Sequence, residues 1–415
     1  MSFDWKLVLS FCALGSLARV APAAETISLS RVRTLAIRTH PAGLEAEALR
    51  RLGKAEVSLA RTWRDPEAEL TFGEGKERNG TGGSRSESGW RVSQEIPFPL
   101  SYRHRVRAAR FTALSLDAEA AARRLELLFL VEVSYFDLAT ATERLALLTE
   151  SGQDTARIFE ITSRRVELGE ARESERIRAE IELLRQRRAL ETARAETGAL
   201  RAILRRLAGP DLPEDFGVEP QWPSARTSQP LESLRRKLVN SNPELKAARA
   251  AAGGATESRR AAVWGMFPDL FAGGFEEREL DKKARGFSLG LSIPLWNANR
   301  PLIARGRAEE SRAEAALRVL EIELQNDLDR TYRAFQLASE QAEIYGARLL
   351  PAARESLRLA RLAYEEGETS FLELLDSQRT FREAVAEWID LRREAAASFA
   401  EVRRLTGGML DDLQD

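Results

Sequence analysis

Apolar and polar residues alternate with the period of an α-helix along most of this chain, but in several short segments the period changes to two. One clear segment sets large apolar residues against small or polar ones: Phe287, Leu289, Leu291 and Ile293 against Ser288, Gly290 and Ser292. Two other segments follow the same rule: Trp90 and Val92 alternate with Arg91 and Ser93, and Leu70 and Phe72 alternate with Glu67 and Glu69. Such alternation predicts strands with one apolar face and one polar face. We expect two β-hairpins, at about 67–97 and 269–294.

Two long segments predict unusually long helices. Residues 102–166 contain no proline and a single glycine, Gly152, and residues 302–366 contain a single proline, Pro351. At 1.5 Å per residue each segment is about 100 Å long as a helix. Gly152 and Pro351 occupy equivalent places, which predicts a kink shared by both helices. A glycine follows each long helix, and shorter return helices are predicted over residues 171–207 and 369–405.

A shorter helix is predicted before each hairpin. The first covers about Ser30 to Trp63, with Pro41 near its start, and the second runs from Pro243 to Trp264. Asn242 is suited to cap the second helix, because asparagine is favoured at the N-cap and proline at the first helical position.

The predicted elements occur twice in the same order. Landmarks recur 197 or 198 residues apart: Ile96–Leu100 and Ile293–Trp296, Tyr135 and Tyr332, Gly169 and Gly367, Leu207–Gly209 and Leu405–Gly407. Several landmarks at nearly one offset indicate two copies of one unit. We place the first repeat at 24–220, with its turn near 169, and the second at 221–415, with its turn near 367. A proline-rich segment, 209–230, links them.

The first 23 residues have the features of a secretory signal peptide. Lys6 precedes an apolar run from Leu7 to Ala18, and Ala21-Pro22-Ala23 provides a cleavage site. The run is too short for a helix that spans a membrane. The single cysteine, Cys12, lies inside this run, so the mature chain is expected to contain neither disulfides nor thiolate metal sites.

Composition argues against several classes of function. Basic and acidic residues nearly cancel, 63 against 64, so no overall field favours nucleic acid. No catalytic constellation, nucleotide-binding loop, cofactor site or metal site is recognised, and we expect a protein that is not an enzyme. The two histidines, His40 and His104, are far apart in sequence and are expected at the surface or at helix ends.

Four strands per chain do not close a membrane barrel, for which about eight strands is the practical minimum. An open sheet edge is not tolerated in lipid, so a membrane location requires several copies. Three copies supply twelve strands. The residues alone leave open a soluble helical protein with two hairpins packed on its core.

Several motifs together resemble the TolC family of outer-membrane efflux proteins. They are Pro41, Asn242–Leu245 (NPEL), Ser93–Pro97 (SQEIP), Ser292–Asn297 (SIPLWN) and Tyr364–Asp376 (YEEGETSFLELLD). The resemblance covers nearly the whole mature chain. It implies a mainly α fold with a small β part. In this homotrimer a 12-stranded outer-membrane β-barrel, with four strands from each chain, continues into a 12-helix periplasmic α-barrel.

The resemblance also implies a function and partners. The chain is expected to be a passive exit duct in the outer membrane, extending into the periplasm. It would work with a periplasmic adaptor and an inner-membrane transporter of the RND type, and export small toxic compounds or metal cations. A duct for type I protein secretion and a soluble periplasmic coiled-coil scaffold without a pore remain alternatives.

Finally, the resemblance assigns roles to residues near the two glycine turns. The adaptor-docking tip comprises Leu168, Gly169, Glu170, Glu366, Gly367 and Glu368. A gate involves Glu175, Tyr364 and Thr369, where Thr369 replaces an arginine of the family and Arg172 or Arg176 are possible substitutes. Glu373 and Asp376 match acidic positions that ring the family's constriction, and such rings would favour cations. An ordinary solvated helix face is the alternative for these two residues.

Overall fold

The computed structural model of the chain describes residues 25–75, 84–224, 229–279, 282–292 and 299–408. The helices are α1 (Leu29–Thr39), α2 (Pro41–Arg61), α3 (Pro99–Glu167), α4 (Glu173–Ala208), α5 (Leu231–Ser241), α6 (Pro243–Trp264), α7 (Arg300–Ile344), α8 (Leu350–Glu365) and α9 (Phe371–Leu405). The strands are β1 (Glu25–Ile27), β2 (Glu67–Gly75), β3 (Arg85–Ile96), β4 (Phe216–Val218), β5 (Asp269–Glu279) and β6 (Lys282–Ser292).

Four strands form one antiparallel sheet in the order β2-β3-β5-β6. The register pairs Leu70 with Trp90 and Leu270 with Leu291, so the apolar positions of neighbouring strands share a face. On the opposite face Glu69 pairs with Arg91. The second hairpin joins the first through β3 and β5, which makes a single sheet with β2 and β6 at its edges.

The helices nearest the sheet continue its order. Helices α2, α3, α6 and α7 pack side by side in that order. The strands attached to them, β2, β3, β5 and β6, have the same order in the sheet. Farther from the sheet α4 packs on α3, and α9 packs on α7, α8 and α3. The long helices therefore connect a four-helix layer near the sheet to paired helices at the far end, where the chain turns between α3 and α4 and between α8 and α9.

The largest core cluster lies where the two helical regions meet. Tyr135 of α3 is buried there among residues of α1 and α4, and its hydroxyl donates to the carbonyl of Ile27, 2.9 Å away. The same hydroxyl accepts from the amide of Glu219, at 3.1 Å. Tyr135 thus ties the parallel pair β1 and β4, which the sequence pattern did not predict, to the long helix α3.

The predicted single helix from Ser30 to Trp63 is wrong, because the structure has two helices there. His40 between them is extended (φ −74°, ψ 138°), as steric contact with the ring of the following Pro41 favours. The ring nitrogen Nδ1 of His40 accepts from the amide of Ala42, so His40 caps α2 as a helix-end residue. Helix α5 was not predicted either, whereas Asn242 caps α6 through Leu245 as expected.

Of the two places where a shared kink was predicted, only the one near Pro351 departs from α-helical hydrogen bonding. Helix α3 continues through Gly152 without a break, because glycine weakens a helix but keeps its N–H donor. The other long helix contains a π-helical turn, Tyr345–Leu349, which ends two residues before Pro351. Proline lacks an N–H and its ring collides with the carbonyl four residues earlier, and a wider turn relieves that contact.

In the described ranges, no helix has both the length and the apolar character needed to cross a membrane. The predicted signal peptide, residues 1–23, lies outside the described residues, as do the motif residues 293–297 and the last part of the second predicted hairpin, 293–294.

Candidate functional site: the sheet surface and the two glycine turns

One face of the sheet exposes an apolar surface that no other part of the described chain covers. Its large side chains range from 38% exposed at Leu270 to 95% exposed at Phe287. The set comprises Leu70, Phe72, Trp90, Val92, Leu270, Phe287, Leu289 and Leu291. A contiguous exposed apolar surface of this kind marks an interaction with lipid or protein. The predicted alternation is therefore confirmed, and the apolar face is exposed as a membrane location requires.

At the opposite end of the helices, both long helices end in the same backbone motif. Gly169 and Gly367 have positive φ angles of 77° and 80°. The amide of Glu170 donates to the carbonyl of Arg165 at 2.8 Å, and the amide of Glu368 donates to the carbonyl of Ala363 at 2.8 Å. Each glycine amide also donates to the carbonyl three residues earlier, at 3.0 Å in the first turn and 3.2 Å in the second, which completes the Schellman motif. Glycine is favoured here because a Cβ atom is strained at positive φ.

All six predicted docking residues are exposed at these turns: Leu168, Gly169, Glu170, Glu366, Gly367 and Glu368. Leu168 is a large apolar side chain left 73% exposed. The return helices begin later than predicted, at Glu173 and Phe371, so Glu170 and Glu368 lie in the turns and not in the first helical turn. A hydrogen bond from Arg176 holds the pKa of Glu173 below its usual value.

Tyr364, a predicted gate residue, is buried between the two turns. Its hydroxyl lies 3.0 Å from Oγ1 of Thr162 in α3, and its ring contacts Phe371 at 5.9 Å between centroids. The guanidinium of Arg165 lies over the ring at 5.1 Å, and its Nη1 donates to the Tyr364 carbonyl at 3.2 Å. Arg165 thereby joins the end of α3 to the end of α8.

The other two predicted gate residues do not meet Tyr364 within one chain. Glu175 is half-buried near the start of α4, and its side chain has no hydrogen-bonding partner in the described part of the chain. The hydroxyl of Thr369 donates to Glu373. Of the substitutes considered for the missing arginine, Arg176 pairs with Glu173 and Glu180. The sequence pattern missed Arg165, because its contact with Tyr364 crosses from one repeat to the other.

Glu373 and Asp376 are both exposed, one helical turn apart at the start of α9. Ser370 caps this helix by accepting from the Glu373 amide at 3.3 Å. Glu373 stands at the third helical position, as in a capping box, although its side chain bonds Thr369 instead of the Ser370 amide. Within one chain the two carboxylates face away from the buried residues Leu374 and Gln378, so they are free to face a lumen or solvent.

Two polar clusters between elements were not recognised in the sequence. His104, expected at the surface or at a helix end, is instead packed against α6, with Nδ1 2.6 Å from Oε2 of the buried Glu257. The guanidinium of Arg392 lies between the rings of Trp222 and Trp388, 4.2 and 4.3 Å from their centroids, and Nη1 donates to Glu143 at 2.8 Å. Partners 153 and 249 residues apart leave no local signal in the sequence.

No group of side chains in the described ranges is arranged to hold a metal ion. Outside the long helices, the structure exposes an apolar sheet face at one end and two glycine turns at the other.

Comparison with known proteins agrees with this geometry. The model of the family described as outer membrane efflux protein matches residues 32–210 and again 234–408. The chain is 24% identical over 325 residues to the cobalt-zinc-cadmium resistance protein CzcC of Cupriavidus metallidurans, covering 76% of each protein. It is 28% identical over 409 residues to protein CyaE of Bordetella pertussis, covering 91% of this chain and 81% of that protein.

The fold is also that of a solved outer-membrane channel. The chain superposes on the channel OprN with a TM-score of 0.78 at 17% sequence identity, covering 92% of this chain and 90% of that one. Proteins of the matched family are outer-membrane components of efflux pumps, and they act with adaptors and inner-membrane transporters. Since one family model matches both halves of the chain, this protein belongs to the outer membrane efflux protein family.

Proposed function

We propose that this chain is the exit duct of a tripartite efflux system, working as a homotrimer with a periplasmic adaptor and an inner-membrane transporter. The observation that carries the proposal is the sheet. It exposes one apolar face while both of its edge strands, β2 and β6, lack a second neighbour within the described chain.

A single chain in a membrane can satisfy the apolar face of the sheet but not the two edges. Lipid would cover the apolar face, but unpaired backbone groups at a sheet edge cost several kcal/mol each in a membrane. Joining β6 of one copy to β2 of the next satisfies both edges. Three copies give a barrel of twelve strands, and the helices attached to them give a tunnel that extends into the periplasm.

The organisation of the chain follows from this assembly. Residues 1–23 form a signal peptide that is removed after export, and residues 24–220 and 221–415 are two repeats. Each repeat contributes one hairpin to the barrel and a pair of coiled helices to the tunnel. The double match of the family model, at 32–210 and 234–408, supports the two repeats.

The two glycine turns form the tip at which the adaptor docks. Their exposure, their common Schellman geometry and the exposed Leu168 support this role. The turns lie at the end of helices of up to 69 residues, about 100 Å from the sheet, where a partner can reach them without contacting the outer membrane.

Tyr364, Glu175 and Thr369 form the gate at this tip. Within one chain Arg165 already holds Tyr364, and Glu175 keeps an unused carboxylate nearby. We place the partner of Glu175 on the neighbouring copy, so that closing the tip joins protomers. Glu373 and Asp376, exposed on one face of α9, form two stacked carboxylate rings around the three-fold axis.

The exported substrates are small toxic compounds or metal cations, and the transporter is of the RND type. The carboxylate rings support cationic cargo, because their field attracts cations. The similarity to a cobalt-zinc-cadmium resistance protein supports metal cations in particular. A non-porous periplasmic scaffold would bury the apolar sheet face, which is exposed here.

The proposal is tested with the purified full-length protein. We expect a mass near three chains plus detergent, and discrete conductance steps in planar lipid bilayers. Deleting the gene should also sensitise cells to the exported substrate, with cobalt, zinc and cadmium salts as the first panel. A monodisperse, water-soluble monomer without conductance would refute the proposed duct.

A further inference from the structure

Three arginines form a row on α3 next to the sheet, with Arg103 and Arg110 exposed and Arg107 half-buried. Arg103, Arg107 and Arg110 are separated by four and three residues, so they lie on one helical face, which continues to the exposed Leu114. None of the three arginines has a hydrogen-bonding or ion-pairing partner within the described ranges. Elsewhere arginines are commonly paired, as Arg305 is with Glu309. An unpaired row of like charges is stable where anions from outside the chain balance it.

The helical face of α3 that carries the arginine row also shows which way the row points. Farther along the helix this face continues through Leu125, Leu128 and Glu132, and there α1 covers it. Ile37 of α1 packs against the cluster that contains Leu125 and Leu128, and Arg33 of α1 pairs with Glu132. The lumen of a duct has to stay open, so the face covered by α1 is the outer face. The arginine row therefore faces away from the lumen.

The row begins close to the lower margin of the exposed apolar sheet face. Helix α3 starts at Pro99, so Arg103 lies about 6 Å and Arg110 about 17 Å beyond that point along the helix. At the helix–strand junction Phe98, Trp264 and Phe267 stack with ring centroids 4.9–6.1 Å apart. Aromatic clusters of this kind are typical of the membrane–water interface. Long arginine side chains placed just beyond it can extend back to the lipid phosphates.

A shallow hollow of about 400 Å³ accompanies the row between α3 and α6, lined by Arg107, Arg110, Phe111, Leu114 and Glu257. The carboxylate of Glu257 is already engaged by His104 and Arg260. The hollow thus offers two unpaired guanidinium groups beside apolar side chains, which suits a group that is anionic at one end and apolar at the other.

The second repeat carries the same charges at equivalent places. Arg300 and Arg307 of α7 stand 197 residues after Arg103 and Arg110, and both are exposed without a partner in the described part of the chain. We call Arg103, Arg107, Arg110, Arg300 and Arg307 the basic belt. Because α3 and α7 lie on either side of α6, the belt extends across most of each protomer.

We propose that the basic belt binds the phosphate headgroups of anionic phospholipids in the periplasmic leaflet of the outer membrane. The proposal rests on the outer-membrane duct, and it adds a lipid class and the residues that recognise it. Guanidinium groups pair with phosphate through two parallel hydrogen bonds, which lysine does not provide. The bound lipids would fix the depth of the barrel in the membrane.

The test uses delipidated full-length protein in detergent. Phosphatidylglycerol, phosphatidylcholine with the same acyl chains, and inorganic phosphate are titrated separately, and retained adducts are counted by native mass spectrometry. We expect retention of phosphatidylglycerol, much weaker retention of phosphatidylcholine, and no retained inorganic phosphate. The triple variant R103Q/R107Q/R110Q should bind phosphatidylglycerol about 100-fold more weakly, at about fivefold for each arginine. A second variant on another helix, R300Q/R307Q, should weaken it about 25-fold.

A matched control removes three exposed, unpaired arginines far from the sheet, R178Q/R187Q/R188Q on α4. This variant should bind phosphatidylglycerol as the unaltered protein does. Equal weakening in the control, or undiminished binding in both belt variants, would overturn the proposal. If the belt variants retained phosphatidylglycerol but no longer cross-linked to the adaptor, the proposal would likewise be overturned. The basic belt would then be a binding surface for a protein. Conductance is measured on the same samples, so failure of the duct itself appears separately, as absent conductance in the unaltered protein.

Discussion

Replacing Gly367 tests whether the turn between α8 and α9 is both a required backbone shape and a docking surface. A Cβ atom added at Gly367 would meet only Nη2 of Arg165, at 3.7 Å, which is ordinary contact. The cost of a substitution is therefore conformational and comes from the φ angle of 80°. A left-handed conformation costs an L-residue about 1–2 kcal/mol, and asparagine less than others.

These values predict a graded series. Gly367→Asn should be nearly neutral, Gly367→Ala should destabilise the turn by about 1–2 kcal/mol, and Gly367→Val should cost more because its side chain is β-branched. Gly152 provides a matched control, since it is helical, has no positive φ and has open space around its Cβ position. Gly152→Ala should instead stabilise α3 by about 1 kcal/mol, so the same substitution has opposite signs at the two sites.

Hydrogen exchange at the turn measures the effect directly. The amides of Glu368 and Thr369 both donate to the Ala363 carbonyl, at 2.8 and 3.2 Å, and report local opening. A loss of 1–2 kcal/mol should speed their exchange by roughly 5–30-fold in Gly367→Ala. Trimer mass and conductance should stay normal, because the turn is about 100 Å from the sheet.

Export in cells should fail in Gly367→Val, since the adaptor meets a distorted tip, and a compensating mutation is expected in the adaptor. Two results would refute the reasoning. One is loss of trimer assembly in Gly367→Val, and the other is intact export together with intact adaptor cross-linking. In the second case the glycine would only terminate a helix.

Three further predictions concern charged side chains. Replacing Glu373 with Gln and Asp376 with Asn should reduce cation preference, measured by reversal potential in a salt gradient, at normal trimer yield; unchanged selectivity would place both residues outside the lumen. Arg165→Gln removes the guanidinium that contacts Tyr364 and should lengthen open times in single-channel recordings, whereas unaltered gating would contradict a locking role. Burial raises the pKa of Glu257, but hydrogen bonds from His104 and a neighbouring arginine outweigh it and lower the pKa below its usual 4.5. The ionised carboxylate of Glu257 therefore stabilises the folded protein fully above about pH 4.5. This contribution to the free energy of unfolding declines as the pH falls through the pKa of Glu257 in the folded state. In thermal unfolding measured at several pH values, Glu257→Gln should reduce the loss of stability below about pH 4.5. An unchanged loss would show that the pair of Glu257 and His104 does not cause it.

Local features were predictable because they depend on residues close in sequence. The strand faces follow from a period of two, and the structure places Leu70, Trp90 and Phe287 on one exposed face as the alternation predicts. The αL turns at Gly169 and Gly367 follow from a glycine after a helical segment. The family, too, was recognised from motifs within these segments.

The predictions were wrong where one local sequence pattern is compatible with two different helix structures. A glycine and a proline in equivalent places, Gly152 and Pro351, both weaken a helix, but only the proline removes a hydrogen-bond donor, and only there does the helix widen. Pro41 near a predicted helix start was compatible with a helix that continues past it and with a break. The extended conformation of His40 shows the break.

Periodicity and backbone preference act over a few residues, so the element types, the apolar strand faces, the glycine turns and the family were predictable from the order of the amino acids. The identity of the distant side chains that meet is visible only in the folded structure. Arg165 on Tyr364, His104 on Glu257 and Arg392 on Trp222 each join residues more than 150 positions apart. Such contacts depend on how the long helices align side by side, and that alignment is set by packing along their whole length.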